Sequence, residues 1–277
     1  MNSFTASDGR RIAYSDTGGD GPVVLCLAGL TRDQRDFIDL AAHLGAAYRV
    51  IAMDYRGRGQ SEWAENPLGE YTPPVEGRDA VELLAHLAIP DVTLLGTSRG
   101  GLIGMGLAAQ APALVRALIL NDIGPVIDDA GIRRIMSYLG RPLPYANFEA
   151  AAQGLKAAYA GDAPTVTDAQ WLSYARNTFH DDQGHPILSY DPKLRDSVAA
   201  AIEGPQIDLW PVYDAISCPL LVLRGANSNL FSAATLDEMQ RRKPALTATI
   251  VPDRGHCPFL DEPEALAAID TFLARQA

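Results

Sequence analysis

The sequence predicts an α/β fold, a mostly parallel sheet with helices on both faces, and three observations predict it. The 277 residues are 47% apolar and 21% charged, which is typical of a globular chain that buries a substantial core. Short continuous apolar runs recur along the chain, as expected for strands buried on both faces of a sheet. Helix-like segments lie between most of these runs. The predicted strands cover residues 23–28, 50–55, 92–96, 117–120, 220–224 and 248–251.

The residues that precede these strands show a different pattern. Residues 1–18 alternate more between polar and apolar side chains, and a glycine-rich segment at residues 18–21 follows them. Alternation is typical of antiparallel strands with one exposed face, and glycines favour tight turns between strands. We expect this segment to form antiparallel edge strands that begin the sheet.

A long interruption of the strand pattern lies between Ile127 and about Asp208. Alanine-rich helical pieces take its place, separated by glycine and proline. Because ligands bind outside the carboxyl ends of the strands in such sheets, we predict that this segment is a helical cap over that edge. The predicted organisation is a core of residues 1–126 and 209–277 with an inserted cap of residues 127–208, whose helices cover residues 148–160, 168–178 and 194–202.

Charge and cysteine content exclude several classes of partner and site. The formal net charge of -11 disfavours nucleic acid and anionic lipid as partners, and no long basic run is present. The sequence shows no secretion signal and no membrane-spanning apolar run, and its three cysteines lack metal-ligand spacing. We therefore expect a cytoplasmic protein with reduced thiols, no metal, no nucleic-acid partner and no membrane contact.

A candidate nucleophile lies in the segment Gly96-Thr97-Ser98-Arg99-Gly100, which follows a predicted strand and opens a helix-like stretch. A sharp turn from strand to helix holds its central serine in a strained geometry, and the flanking glycines avoid collisions across the turn. We therefore predict Ser98 as a nucleophile. The alternative is a plain serine in a glycine-rich turn.

A serine hydroxyl becomes a strong nucleophile only when a base removes its proton, so a histidine is required nearby. Of the five histidines, His256 follows the last predicted strand, in a loop at the sheet edge where catalytic groups converge. We therefore predict His256 as the base. The others lie in predicted helices or in the cap: His43, His86, His180 and His185.

Attack on a carbonyl places negative charge on its oxygen, and backbone N–H groups can stabilise that charge. Arg99 directly follows the candidate nucleophile at a predicted helix start, where N–H groups lack partners within the helix. The loop at residues 28–32 follows a predicted strand, and its Gly29 permits a close approach. We predict that the N–H groups of Leu30 and Arg99 form an oxyanion hole.

Two further motifs accompany these residues. Residues 54–61, DYRGRGQS, match the pattern D-x-R-G-x-G-x-S, and His256 is preceded by a glycine and followed by Glu262-Pro263. In these motifs and in the serine segment, the chain resembles the α/β-hydrolase family over nearly its whole length. The resemblance implies a mostly parallel eight-stranded sheet, a cap after the sixth strand, no cofactor, and Ser98 and His256 as nucleophile and base.

One residue departs from the family pattern. The family's acid normally follows the seventh strand in a segment similar to R-G-x-x-S-D, whereas this sequence has Asn229 at the last position. Three explanations are open: the acid lies at the end of the sixth strand, where Asp122 is well placed; the Asn229 amide orients the histidine; or the asparagine is an introduced substitution that traps a ligand. We favour Asp122, whose alternative role is to cap its own loop.

The cap is expected to set substrate specificity. The candidate substrate contacts in or beside the cap are Trp171, Tyr174, Arg176 and Trp210. Aromatic side chains at helical spacing also fill protein cores, and an arginine in the cap can simply face solvent.

Together these features predict a serine hydrolase that cleaves a small carboxylic ester or lactone through an acyl-enzyme, as a monomer or homodimer. Because a fold does not fix a function, other activities stay open. They are hydrolysis of a carbon–carbon bond, cofactor-free oxygenation, and a small-molecule receptor with weak or no turnover, which the departure at Asn229 favours.

Overall fold

The computed structural model describes residues 1–276, along which strands and helices alternate. Each predicted strand coincides with an observed one to within two residues at either end. No helix in this range is both long and apolar enough to cross a bilayer. The strands are β1 (Asn2–Thr5), β2 (Arg11–Asp16), β3 (Val23–Leu27), β4 (Arg49–Met53), β5 (Val92–Thr97), β6 (Val115–Asn121), β7 (Phe179–Asp182), β8 (His185–Leu188), β9 (Leu220–Gly225) and β10 (Thr247–Val251). The helices are α1 (Ile38–Leu44), α2 (Pro67–Glu70), α3 (Pro73–His86), α4 (Arg99–Gln110), α5 (Asp129–Tyr138), α6 (Phe148–Tyr159), α7 (Asp168–Thr178), α8 (Leu194–Glu203), α9 (Trp210–Ala215), α10 (Ala233–Arg242) and α11 (Pro263–Ala274).

The main sheet has eight strands in the order β1-β2-β4-β3-β5-β6-β9-β10. β2 pairs antiparallel with both β1 and β4. The other five pairs of this sheet are parallel. The predicted α/β fold is confirmed, with its antiparallel strands at the start of the chain. Because the parallel strands run in one direction, their carboxyl ends meet at one edge of the sheet, and the loops that follow them meet there too.

Neighbouring residues of the central strands pack into different hydrophobic clusters, one on each face of the sheet. Leu94 and Leu118 belong to one cluster, whereas Leu95 and Ile119 belong to the other. Successive side chains of a strand point to opposite faces, so both faces of these strands are buried. This two-sided burial explains why the central strands are apolar without alternation.

The chain leaves the sheet after β6 and returns to it with β9. The intervening segment contains α5 to α8 and a hairpin formed by β7 and β8, and α6, α7 and α8 lie at the predicted helices. These elements bury Ala151, Trp171 and Phe179 in a hydrophobic cluster of their own. The predicted boundaries at residues 127 and 208 fall in the loops before α5 and α9.

The hairpin corrects the expectation that residues 127–208 contain no strands. Phe179–Asp182 pairs with His185–Leu188 across a two-residue turn at Gln183 and Gly184. Both turn residues have positive φ, 53° and 89°, which suits the twist of a tight hairpin. Each strand has only four residues and includes polar side chains, so neither forms an apolar run that pattern analysis detects.

Candidate active site

Ser98 occupies the sharp turn between β5 and α4, with φ of 50° and ψ of -111°. This conformation is uncommon for a residue with a side chain. The flanking glycines make the turn possible: a Cβ at Gly100 would collide with the carbonyl oxygen of Leu27, and a Cβ at Gly96 would collide with the Gly100 backbone. The first turn of α4 therefore lies directly against the end of β3.

Ser98, His256 and Asp122 form one hydrogen-bonded chain at the carboxyl edge of the sheet. The Ser98 Oγ lies 2.9 Å from His256 Nε2, and His256 Nδ1 lies 2.7 Å from Asp122 Oδ2. Ser98 follows β5, Asp122 follows β6 and His256 follows β10. The parallel sheet thus brings together residues that are up to 158 positions apart in the sequence.

The Asp122 carboxylate is fully buried and held from two sides. Its Oδ1 accepts a hydrogen bond from the Gly225 N–H at 2.8 Å, and its Oδ2 accepts one from the Ser228 hydroxyl at 2.6 Å. Gly225 ends β9 and Ser228 follows it, and both belong to the R-G-x-x-S-D segment in which the family's acid normally lies. That segment therefore supports the carboxylate of Asp122. Sequence analysis missed Ser228, for which the only signal is its position in the R-G-x-x-S-D pattern.

Asn229 lines the cavity that contains Ser98, but its side chain forms no hydrogen bond with another of residues 1–276. The Nδ1 atom of His256 faces the Asp122 carboxylate instead. Cys257 also lines the cavity, and burial raises the pKa of its thiol, which keeps the sulfur protonated.

Of the two predicted oxyanion donors, Leu30 lies in the loop after β3 and Arg99 directly follows Ser98. Leu30 and its neighbours Gly29 and Thr31 line the same cavity as Ser98. Arg99 is the first residue of α4, and its side chain points to Glu76, with Nε 2.7 Å from a carboxylate oxygen. As the first residue of α4, Arg99 has a backbone N–H without a partner within the helix.

The motif at residues 54–61 anchors this edge of the sheet. Asp54 accepts hydrogen bonds from the backbone N–H groups of Gln34 and Gln60 at 2.8 and 2.9 Å, so it ties the loop after β3 to the loop after β4. Burial, reinforced by the negative charge of Asp33, raises the pKa of Asp54 to about 6. The motif thus acts on the geometry around the site through a buried carboxylate.

The cavity has a volume of about 360 Å³ and lies between the sheet edge and the cap. Its volume falls within the range usual for small-molecule sites. Polar and aromatic side chains of the cap supply one wall: Tyr138, Tyr159, Gln170, Ser173, Tyr174 and Asn177. No cluster of His, Cys, Asp or Glu within residues 1–276 is arranged to hold a metal ion.

Tyr174 is the one cap residue among the four predicted substrate contacts that lines this cavity. Trp171 is only 1% exposed and packs inside the cap, edge-on to Tyr174. Arg176 is exposed outside the cavity, and Trp210 packs against Tyr213 beside the core. None of these three residues lines the cavity, because helical spacing does not distinguish a cavity wall from a helix core or an exposed face.

Comparison with known proteins identifies the family. The model of the alpha/beta hydrolase family matches residues 24–269. A 3-hydroxybutyrate-oligomer hydrolase of Cupriavidus necator is 38% identical over 275 residues, covering 95% of this chain and 92% of the relative. A 2-(acetamidomethylene)succinate hydrolase of Mesorhizobium japonicum is 28% identical over 92% of this chain and 89% of its own. A solved alpha/beta hydrolase of Novosphingobium aromaticivorans has a TM-score of 0.91 at 39% identity, covering 99% of this chain and 97% of the other. The resemblance in the motifs is confirmed, and the chain belongs to the alpha/beta hydrolase family.

Proposed function

We propose that this protein is a serine hydrolase that cleaves a small carboxylic ester or lactone through an acyl-enzyme. The observation that carries the proposal is the hydrogen-bonded chain from the Ser98 hydroxyl through His256 to the buried carboxylate of Asp122. This arrangement of hydroxyl, imidazole and carboxylate activates serine in unrelated hydrolases.

In the proposed first step, His256 Nε2 accepts the hydroxyl proton as Ser98 Oγ attacks the ester carbonyl carbon. Asp122 holds the Nδ1–H tautomer and stabilises the imidazolium that forms. The N–H groups of Leu30 and Arg99 stabilise the oxyanion of the tetrahedral intermediate. The intermediate collapses when His256 returns the proton to the leaving alcohol, which leaves an ester of Ser98.

In the proposed second step, His256 accepts a proton from water, and the resulting hydroxide attacks the acyl-enzyme. The second tetrahedral intermediate releases the carboxylic acid, and the proton returns to Ser98 Oγ. Every proton transfer uses the same imidazole, so the cycle requires neither a metal ion nor a cofactor.

The size and lining of the cavity favour a small substrate with several polar groups. The cap wall includes Tyr138, Tyr159 and Tyr174, whose hydroxyls can donate hydrogen bonds to carbonyl or hydroxyl oxygens. The Cupriavidus necator relative is named for hydrolysis of 3-hydroxybutyrate oligomers, which are esters of this kind. Short hydroxyacyl esters are therefore the first substrates to assay, followed by simple acyl esters and lactones.

The position of Asp122 also weakens the case for a receptor. The receptor alternative depends on the amide at Asn229, where the family has a carboxylate. The Asp122 carboxylate contacts the histidine in its place. Carbon–carbon bond hydrolysis and cofactor-free oxygenation use other substrates, so product analysis by mass spectrometry distinguishes them from ester cleavage.

The test is the intact mass of the protein after incubation with a fluorophosphonate, together with hydrolysis of p-nitrophenyl butyrate. The wild-type protein should gain one phosphonyl adduct and hydrolyse the ester. Ser98→Ala should do neither, because it lacks the nucleophile. Ester hydrolysis that survives in Ser98→Ala would refute the proposed mechanism.

A further inference from the structure

A buried network of two arginines and one glutamate lies next to the proposed oxyanion hole. Arg58 and Glu76 are both fully buried, and their Nη1 and Oε1 atoms are 2.8 Å apart. The other carboxylate oxygen of Glu76 accepts a hydrogen bond from Arg99 Nε at 2.7 Å. Arg99 also donates from Nη2 to the carbonyl oxygen of Tyr71. The side chain of the residue that follows Ser98 is therefore fixed from two sides.

The other end of the network reaches the loop after β3. Arg58 Nε donates a hydrogen bond to the Leu30 carbonyl oxygen at 3.0 Å. The Arg58 guanidinium lies over the rings of Tyr55 and Tyr71, and the Tyr55 hydroxyl donates to the carbonyl oxygen of Ala28. One continuous set of contacts thus joins Leu30 to Arg99, the two residues whose N–H groups form the proposed hole.

A buried network of charges contributes little net stability to a fold. The free energy lost when charged groups leave water offsets their mutual attraction, and apolar residues of similar volume often stabilise a core as well or better. Burial lowers the pKa of Arg58, and the charge of Glu76 opposes that shift. The contacts at its two ends give the network a different role, because the N–H groups of an oxyanion hole must be held at a fixed spacing before the charge develops.

We propose that Arg58 and Glu76 are positioning residues that hold the backbone N–H groups of Leu30 and Arg99 at the spacing an oxyanion requires. The inference rests on the proposed function, since the oxyanion arises in that reaction. It adds two residues that act on the transition state without touching the substrate.

The same two segments supply a matched control. Arg56 and Asp79 form a second fully buried ion pair at 2.7 Å, two residues before Arg58 and one helical turn after Glu76. The remaining side-chain contacts of Arg56 are with Asp8 and Glu70, and none of them is with Leu30 or Arg99. Disruption of either pair removes a buried ion pair, but only one pair touches the oxyanion residues.

The experiment compares Arg58→Lys and Glu76→Gln with the control variants Arg56→Lys and Asp79→Asn. Melting temperature, kcat and KM on p-nitrophenyl butyrate, and inhibition by a trifluoromethyl ketone that forms a tetrahedral adduct with serine are measured for each. We expect all four variants to melt at lower temperature than the wild type. Arg58→Lys and Glu76→Gln should lose about tenfold to a hundredfold in kcat, bind the ketone more weakly by a similar factor, and keep KM within about twofold.

The controls Arg56→Lys and Asp79→Asn should keep kcat and ketone affinity within about twofold of wild type. Arg99→Met provides a variant that should fold more readily than the variants of the fully buried Arg58 and Glu76, because the Arg99 side chain is 12% exposed. The variant retains the backbone N–H of residue 99. It should also lower kcat. Equal kcat and ketone affinity in the network variants and the controls would overturn the positioning role while ester hydrolysis by the wild type stands. A wild-type protein without Ser98-dependent ester hydrolysis would overturn the proposed function, and the positioning role with it.

Discussion

The two walls of the cavity are held in place by different forces. At the sheet edge, Ser98, His256 and Asp122 are joined by hydrogen bonds of 2.9 and 2.7 Å, and the last of these side chains is fully buried. In the cap, Tyr174 is held mainly by packing, with its ring stacked on Phe259 at 4.6 Å between centroids. Hydrogen bonds between buried groups tolerate little displacement, whereas apolar contacts permit a range of positions. The edge is therefore suited to fix the chemistry and the cap to select the substrate.

Of the changes considered, replacement of Asp122 with asparagine should have the largest effect on catalysis at the sheet edge. Asp122→Asn presents an amide to His256 and no longer holds the Nδ1–H tautomer, so kcat should fall about ten-thousandfold, as in a serine protease with the same change. Asn229→Ala removes an amide that forms no hydrogen bond with His256, and it should change kcat by less than about threefold. Steady-state kinetics on the best ester measures both.

Ser228→Ala provides an intermediate control for the same carboxylate, because it removes one donor to Asp122 and leaves the histidine contact in place. Its kcat should lie between those of the other two variants. Equal losses in Asp122→Asn and Asn229→Ala would show that both residues orient the histidine, and the acid would not be Asp122 alone.

A large truncation in the cap should act on stability rather than on the nucleophile. Trp171 is 1% exposed and packs edge-on to Tyr174 and Phe259, so Trp171→Ala should lower the free energy of unfolding by about 3–5 kcal/mol. Trp171→Phe keeps an aromatic ring and removes an indole N–H that has no acceptor within residues 1–276, so its loss should be smaller. Urea denaturation measures both values.

Labelling by fluorophosphonate under native conditions tests whether the two walls are separable. Trp171→Ala should still form the Ser98 adduct below its unfolding transition, because the ring of Trp171 packs on Tyr174 and Phe259 and is not a member of the hydrogen-bonded chain. Loss of labelling in a folded variant would show that cap packing fixes the nucleophile.

The stability of the sheet edge should depend on pH, because buried carboxylates support this edge. The pKa of Asp54 is raised to about 6 in the folded protein, whereas its ordinary value is 3.8. Between these values the folded state binds a proton that the unfolded state does not, so acidification from pH 7.5 to 4.5 stabilises the fold at this site by about 2 kcal/mol. The free energy of unfolding of the wild type, relative to Asp54→Asn, should therefore rise by about 2 kcal/mol over this range. A difference that is constant with pH would show that Asp54 titrates at its ordinary pKa.

Sequence analysis locates the edge better than the cap for a physical reason. The turn at Ser98 is a local signal, because its glycines and its flanking strand and helix are adjacent in the chain. The contact of Asp122 with the histidine depends on which loops meet in space, so the sequence offered it as one of three explanations. Ser228 and Glu76 act through partners distant in sequence, and no local pattern marks them. Trp171 is an aromatic residue at helical spacing, as a substrate contact can be, but packing buries its side chain inside the cap.

The smallest expected effect tests the cap wall itself. Tyr174 is half-buried and lines the cavity, and the Arg32 guanidinium lies over its ring, 4.6 Å from the centroid. Tyr174→Ala should raise KM about tenfold with kcat within about threefold, because it removes binding that the substrate and the transition state share. Tyr174→Phe keeps the ring on Phe259 and removes only the hydroxyl. If the hydroxyl binds a second polar group of the substrate, Tyr174→Phe should raise KM for a hydroxyacyl ester and leave KM for a simple acyl ester of equal length unchanged. A kcat that falls with KM constant would mean that the cap also positions the reacting groups, and the separation between the two walls would fail at this residue.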